Sequence, residues 1–113
     1  MRKVYKKYKL SDDVTIQVLS CSDQQLTAKL WFSGKGFPSG HHHSNEEVNV
    51  FVSGEFNAIT GSEAIKVGAG DAVTVPPDVE HNLECLSGEG VLISTWTPPR
   101  QDFMEKFMEV ENG

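Results

Sequence analysis

The segment Gly40-His41-His42-His43-Ser44-Asn45-Glu46-Glu47 holds three of the chain's four histidines next to two carboxylates, side chains that grip divalent metals. On an extended strand alternate residues point the same way, so His41 and His43 project from one face and His42 from the other. An H-x-H pair can hold one ion and leave the middle ring outside it. On a straight strand rising ~3.3 Å per residue, Glu47 would lie about 13 Å beyond His43, too far for ligand bonds of about 2 Å. Ser44 and Asn45 are turn formers placed where the chain must bend to return Glu47 to the pair. A solvated loop is the alternative reading of the cluster. A further ligand must come from a distant part of the chain, and His81 is the histidine left. It follows Pro76-Pro77-Asp78-Val79-Glu80, a rigid turn leading into a strand.

The elements that position these residues read as strands. Short β-rich runs cover Thr15 to Leu19, Leu26 to Phe32, Val48 to Val52 and Phe56 to Thr60. Ala64 to Val67, Ala72 to Val75, Asn82 to Leu86 and Val91 to Thr97 follow, separated by Gly-, Pro- and Ser-rich turns. Pro98-Pro99 ends the last strand, since proline cannot donate to a sheet ladder. A helix is expected next, with Asp102 and Glu105 at capping-box spacing and an apolar stripe of Phe103, Met104, Phe107 and Met108 packing on the barrel or a partner subunit. Val48, Val50 and Val52 face one way and Phe51 the other, so both faces of that strand need cover, and a homodimer is expected.

Length and composition fit this picture. A chain of 113 residues with 38% hydrophobic and 23% charged residues is expected to form a single domain, 1–113. A net charge of -6 argues against general affinity for nucleic acid or anionic membranes, leaving a small molecule or a protein as the expected partner. The basic residues Arg2, Lys3, Lys6, Lys7 and Lys9 read as a solvated N-terminal strand. No run reaches the roughly 18 apolar residues of a membrane span, and no apolar stretch follows Met1-Arg2-Lys3, so the cytoplasm is the expected location. Cys21 and Cys85 are then thiols in the core. Cys85 shares strand parity with His81 but lies about 13 Å farther along, too far to be a ligand.

His41-x-His43, three residues, Glu47, six residues and Gly54 resemble the central and C-terminal part of the first cupin motif. Gly70, five residues, Pro76, one residue, Asp78, two residues and His81 resemble the second. The resemblance implies an all-β cupin barrel, a double-stranded β-helix or jelly roll. It also implies a metal bound by His41, His43, Glu47 and His81. Lys35 stands where the first motif opens on glycine, Asp78 replaces a turn glycine and Cys85 replaces a closing asparagine; none of these is a ligand position. Three imidazoles and a carboxylate suit one Fe, Mn, Ni, Co or Zn ion and suit Ca or Mg poorly.

From Trp31-Phe32 through His41-His42-His43 and Val52-Ser53-Gly54 to Thr97-Pro98-Pro99-Arg100-Gln101-Asp102-Phe103, the chain resembles the KdgF-type pectin-degradation proteins. These act on unsaturated uronic acids released from pectin or alginate. The resemblance implies that Arg100 is the catalytic-site residue that holds a substrate carboxylate, a group that suits a guanidinium fork. That family carries glutamine at the position of Glu47, aspartate at Ser94 and phenylalanine at Trp96. A serine hydroxyl without an activating base does not replace a carboxylate in acid–base work. Strand parity puts Ser94 and Trp96 on one face, expected to line a substrate cavity, with Phe51 as a wall; the same residues also suit an ordinary core. The functions implied are isomerisation or ring-opening of a small sugar acid, an Fe-dependent dioxygenase with the same ligands, or a non-catalytic binding or sensing module.

Overall fold

Apolar side chains recur at every second position along most of the chain, the period of a strand with one buried face. The computed structural model describes residues 3–111. Its strands are β1 (Lys7–Ser11), β2 (Val14–Cys21), β3 (Leu26–Ser33), β4 (Glu46–Ser53), β5 (Glu55–Thr60), β6 (Glu63–Gly68), β7 (Ala72–Val75), β8 (His81–Cys85) and β9 (Glu89–Thr97). One helix, α1 (Gln101–Lys106), follows. Six strands form a sheet in the order β1-β2-β3-β9-β4-β7, and three form a second in the order β6-β5-β8. The fold is the all-β jelly-roll barrel with a short C-terminal helix that the strand pattern and motifs imply. Lys7 and Lys9 stand on β1 as expected of a basic N-terminal strand, while Arg2 lies outside the described residues.

Val14, Ile16 and Val18 of β2 and Leu26, Ala28, Leu30 and Phe32 of β3 point inward and are buried. Each large side chain removed from water this way contributes roughly 1.5–3 kcal/mol. Strand β4 departs from this rule. Its inward row is Glu47, Asn49 and Phe51, while Val48, Val50 and Val52 face outward, the last two 42% and 50% exposed. Buried polar groups cost stability unless paired, so an inward carboxylate and amide mark a place built for binding rather than for the core.

Two local features fix the ends of these strands. Gly54 turns β4 into β5 at φ +85°, and a Cβ there would stand 2.5 Å from the Glu89 carbonyl oxygen, so the corner requires glycine. Helix α1 starts without a side-chain cap, with Arg100 at the N-cap position. The capping box expected of Asp102 and Glu105 does not form: Asp102 sits inside the first turn and binds Arg100, and Glu105 accepts from Gln101. The aromatic stripe behaves as expected on the barrel side, where Phe103 packs edge-on against Trp96 at 5.0 Å and Phe107 against Tyr8 at 5.1 Å.

Candidate metal centre

Three backbone hydrogen bonds bring the two histidine motifs together. His41 N–H donates to the His81 carbonyl (3.0 Å), His81 N–H to the His41 carbonyl (2.8 Å), and Asp78 N–H to the His43 carbonyl (2.8 Å). Asp78 holds the left-handed conformation, φ 64°, at the place where the resembling motif has glycine; aspartate tolerates that region better than most residues. The loop at 76–80 thereby delivers His81 onto the H-x-H pair. The donor nitrogens of His41, His43 and His81 all lie within 4.8 Å of one another. His42 is exposed, the side expected of the middle ring, although residues 41–43 precede β4 and carry only the isolated His41–His81 bridge rather than a strand. Glu47 abuts two of the three rings, with Oε1 3.0 Å from His43 Nε2 and 3.4 Å from His81 Nε2.

The hydrogen bonds on the far side of two rings decide what the near side can do. His43 Nδ1 lies 3.1 Å from the Asn45 carbonyl oxygen and His81 Nδ1 lies 2.9 Å from that of Val79. A carbonyl only accepts, so both rings carry a proton on Nδ1 and, when neutral, a bare lone pair on Nε2. Both lone pairs face the Glu47 carboxylate. The approach of His81 Nε2 to Glu47 falls short of hydrogen-bond geometry, which leaves that nitrogen buried without a partner. Lone pairs and an anion gathered in a buried site repel unless a cation lies among them. The donor set of three imidazole nitrogens and a carboxylate oxygen fits a transition metal.

Glu47 is fixed from behind. Its Oε1 also accepts from Trp96 Nε1 (2.6 Å), its Oε2 accepts from Asn49 Nδ2 (2.8 Å), and Ser94 Oγ donates to Asn49 Oδ1 (2.6 Å). Asn49 was not picked out by its type, although it shares strand parity with Glu47 on β4 and the signal was there to read.

Burial lowers the His41 pKa to about 4, helped by the neighbouring His81. For His81 burial acts downward, but the adjacent Glu47 carboxylate outweighs it and the pKa is raised. Burial acts upward on Glu47, yet His43 and His81, when protonated, and the Asn49 amide hold its carboxyl well below the usual carboxylate range. Protons and a metal compete for the imidazoles. His41 stays neutral through the mildly acidic range, whereas His81 takes up its proton at a higher pH than His41 does. Metal retention, followed by chelator competition from about pH 8 to about pH 5, is therefore expected to fall as pH drops through the histidine range. Flat retention across that interval would contradict a three-imidazole site.

A cavity of about 500 Å³ opens over the site, reached by His41, Glu47, His81, Ser94, Trp96 and Arg100, with Leu30, Phe37, Leu83 and Phe103 among its apolar walls. Arg100 donates from Nε to Asp102 Oδ1 (3.0 Å) and from Nη2 to Asp102 Oδ2 (2.8 Å), and its guanidinium carbon stands 3.9 Å over the Phe103 ring. One edge of the fork is thus occupied and its plane is set. Phe51, expected as a cavity wall, is a core residue instead: it is 1% exposed, packs on Phe56 at 5.1 Å and does not reach the cavity. Lys9, read from the sequence only as part of a solvated strand, reaches the cavity from β1, as do Lys106 and Phe37, which no motif or parity argument places there.

Residues 33–97 match the family model for the cupin domain. The chain belongs to the cupin family. Cupins commonly bind a metal, and the three converging histidines are able to form such a site. Among curated proteins, this cupin is 24% identical over 96 residues to the pectin degradation protein KdgF of Dickeya dadantii (strain 3937), covering 84% of this chain and 87% of that protein. Among solved structures, it is similar to an RmlC-like cupin from Shewanella frigidimarina NCIMB 400, with a TM-score of 0.81, 30% identity and 88% of each chain covered. KdgF from Halomonas sp. matches with a TM-score of 0.81 at 17% identity, over 87% of this chain and 90% of that one, a likeness of fold. Among the described residues, no helix is long and apolar enough to cross a membrane.

Proposed function

We propose that this cupin is a metal-dependent enzyme acting on a small sugar acid, isomerising or ring-opening an unsaturated uronate, with one divalent transition metal held by His41, His43, Glu47 and His81. The observation that carries the reading is that His41, His81, Glu47 and Arg100 all line one cavity, with the His43 ring beside the other two imidazoles. When bound, such an ion polarises a hydroxyl or carbonyl of the ligand. Arg100 supplies the complementary charge for a carboxylate through the N–H groups that Asp102 leaves free. Trp96 and Phe103 offer flat apolar surface for a ring. Ser94 gives its proton to Asn49, so proton transfer falls to a group other than this hydroxyl. The relation to KdgF supports the choice of uronate.

The test is to incubate metal-loaded protein with unsaturated monouronates and follow the ultraviolet absorbance of the double bond. The wild type is expected to consume it, and Arg100→Ala to lower kcat/KM by roughly 10- to 100-fold, the loss of a charge-assisted contact. No acceleration over buffer by the wild type would retire the uronate reading. The reading includes a homodimer, supported by the exposed apolar face of Val50 and Val52; sedimentation at micromolar concentration showing monomer alone would count against it.

A further inference from the structure

We infer that Trp96 and Asn49 are positioning residues that restrict Glu47 to presenting one oxygen, Oε1, to the three imidazoles. The inference rests on the metal-binding reading of this site and extends it to side chains behind the ligands. The pairing register of β4 and β9 sets Glu47 opposite Trp96 and Asn49 opposite Ser94. All four side chains are nearly or wholly buried, where a donor that loses its partner is costly to leave unpaired.

The order of donors along this row is determined. The Glu47 carboxylate only accepts, so the Asn49 amide turns Nδ2 toward it, and Ser94 Oγ holds that orientation by donating to Oδ1 at 2.6 Å. That Nδ2 donates to Oε2 at 2.8 Å, while the Trp96 indole N–H donates to Oε1 at 2.6 Å. The carboxylate is thus held by a donor on each oxygen, and the oxygen near the imidazoles is Oε1. Turning both oxygens toward a shared ion would break one of these short bonds and strand a buried donor. A carboxylate limited in this way fills one coordination position rather than two. Trp96, which also lines the cavity, therefore acts on the metal through Glu47 as well as offering ring surface to a ligand.

The experiment titrates the full chain with Co(II) alone, reading affinity by chelator competition and coordination by ligand-field absorption, with circular dichroism as the check on folding. Wild type is compared with Trp96→Phe, Asn49→Leu and Ser94→Ala. Trp96→Phe and Asn49→Leu are expected to weaken Co(II) binding by about 10- to 100-fold, the usual effect of losing a group that orients a ligand. Asn49→Leu frees Oε2 and is expected to shift the Co(II) bands toward the weaker absorption of a higher coordination number, a change that loss of packing alone does not produce. Folded variants with wild-type affinity and spectrum overturn the inference. Ser94→Ala removes a single oxygen; if the larger changes cost the fold, an altered spectrum in this variant supports the inference and an unaltered one overturns it. Failure of the wild type to take up Co(II) retires the metal reading and the inference together, whereas wild-type uptake with unchanged variants retires the inference alone.

Discussion

Alanine in place of His81 is expected to lower metal affinity by at least about 100-fold, since removing a ligand costs more than removing a group that merely orients one. The prediction is sharp because His81 joins the site through two separable attachments. Its backbone pairs with His41 through both N–H and carbonyl, and alanine keeps that pairing. Its ring contributes Nε2 to the trio and a hydrogen bond from Nδ1 to Val79, and alanine loses both. The fold should survive with a loss of roughly 1 kcal/mol for the Val79 hydrogen bond, partly offset by relief of the crowding against Glu47. Metal content after dialysis, measured beside a melting curve, separates the two effects. His42→Ala is the control: its ring is exposed and lies outside the trio, so metal content should not change. Wild-type metal content in a folded His81→Ala protein would show that the histidines do not act as one site.

Phe51→Ala is expected to destabilise the protein by about 3–5 kcal/mol, the cost of emptying a buried phenylalanine site. A domain of this size has roughly 5–15 kcal/mol in total, so the variant stands near the limit of folding. The ring is 1% exposed and packs against Phe56, whose own ring meets Phe32 edge-on at 5.1 Å. Loss of one member leaves a void that its neighbours, themselves held between strands, fill only in part. Phe51 does not reach the cavity, so the folded fraction should retain metal with wild-type affinity. Urea unfolding and metal titration on the same preparation check both halves. A stable variant with weakened ligand binding would restore Phe51 to the cavity wall.

The two positions illustrate how far the linear chain could be read. Strand parity placed His41 and His43 on one side and His42 on the other, because the two-residue period of a strand is a property of local backbone geometry. Turn chemistry likewise placed the bend at Ser44-Asn45 and the loop before His81, and the strand runs were found within a residue or two of their ends. Parity alone, however, treats every inward residue of β4 alike. It offered Phe51 as a cavity wall and could not tell that wall from the depth of the core, since that depends on where the second sheet closes over the first.

The capping box failed for a local reason: spacing gave Asp102 a capping role, but Arg100, two residues before it and held over Phe103, offered it a charged partner. The clamp on Glu47 was invisible in one dimension. Trp96 is 49 positions from Glu47 in the chain, and only the β4–β9 register brings its indole N–H to the carboxylate. The ligand types and their spacing were therefore written in short segments, where backbone geometry repeats every two residues. The facing lone pairs and the fixed carboxylate arose from contacts between segments, whose register is set by closure of the whole barrel.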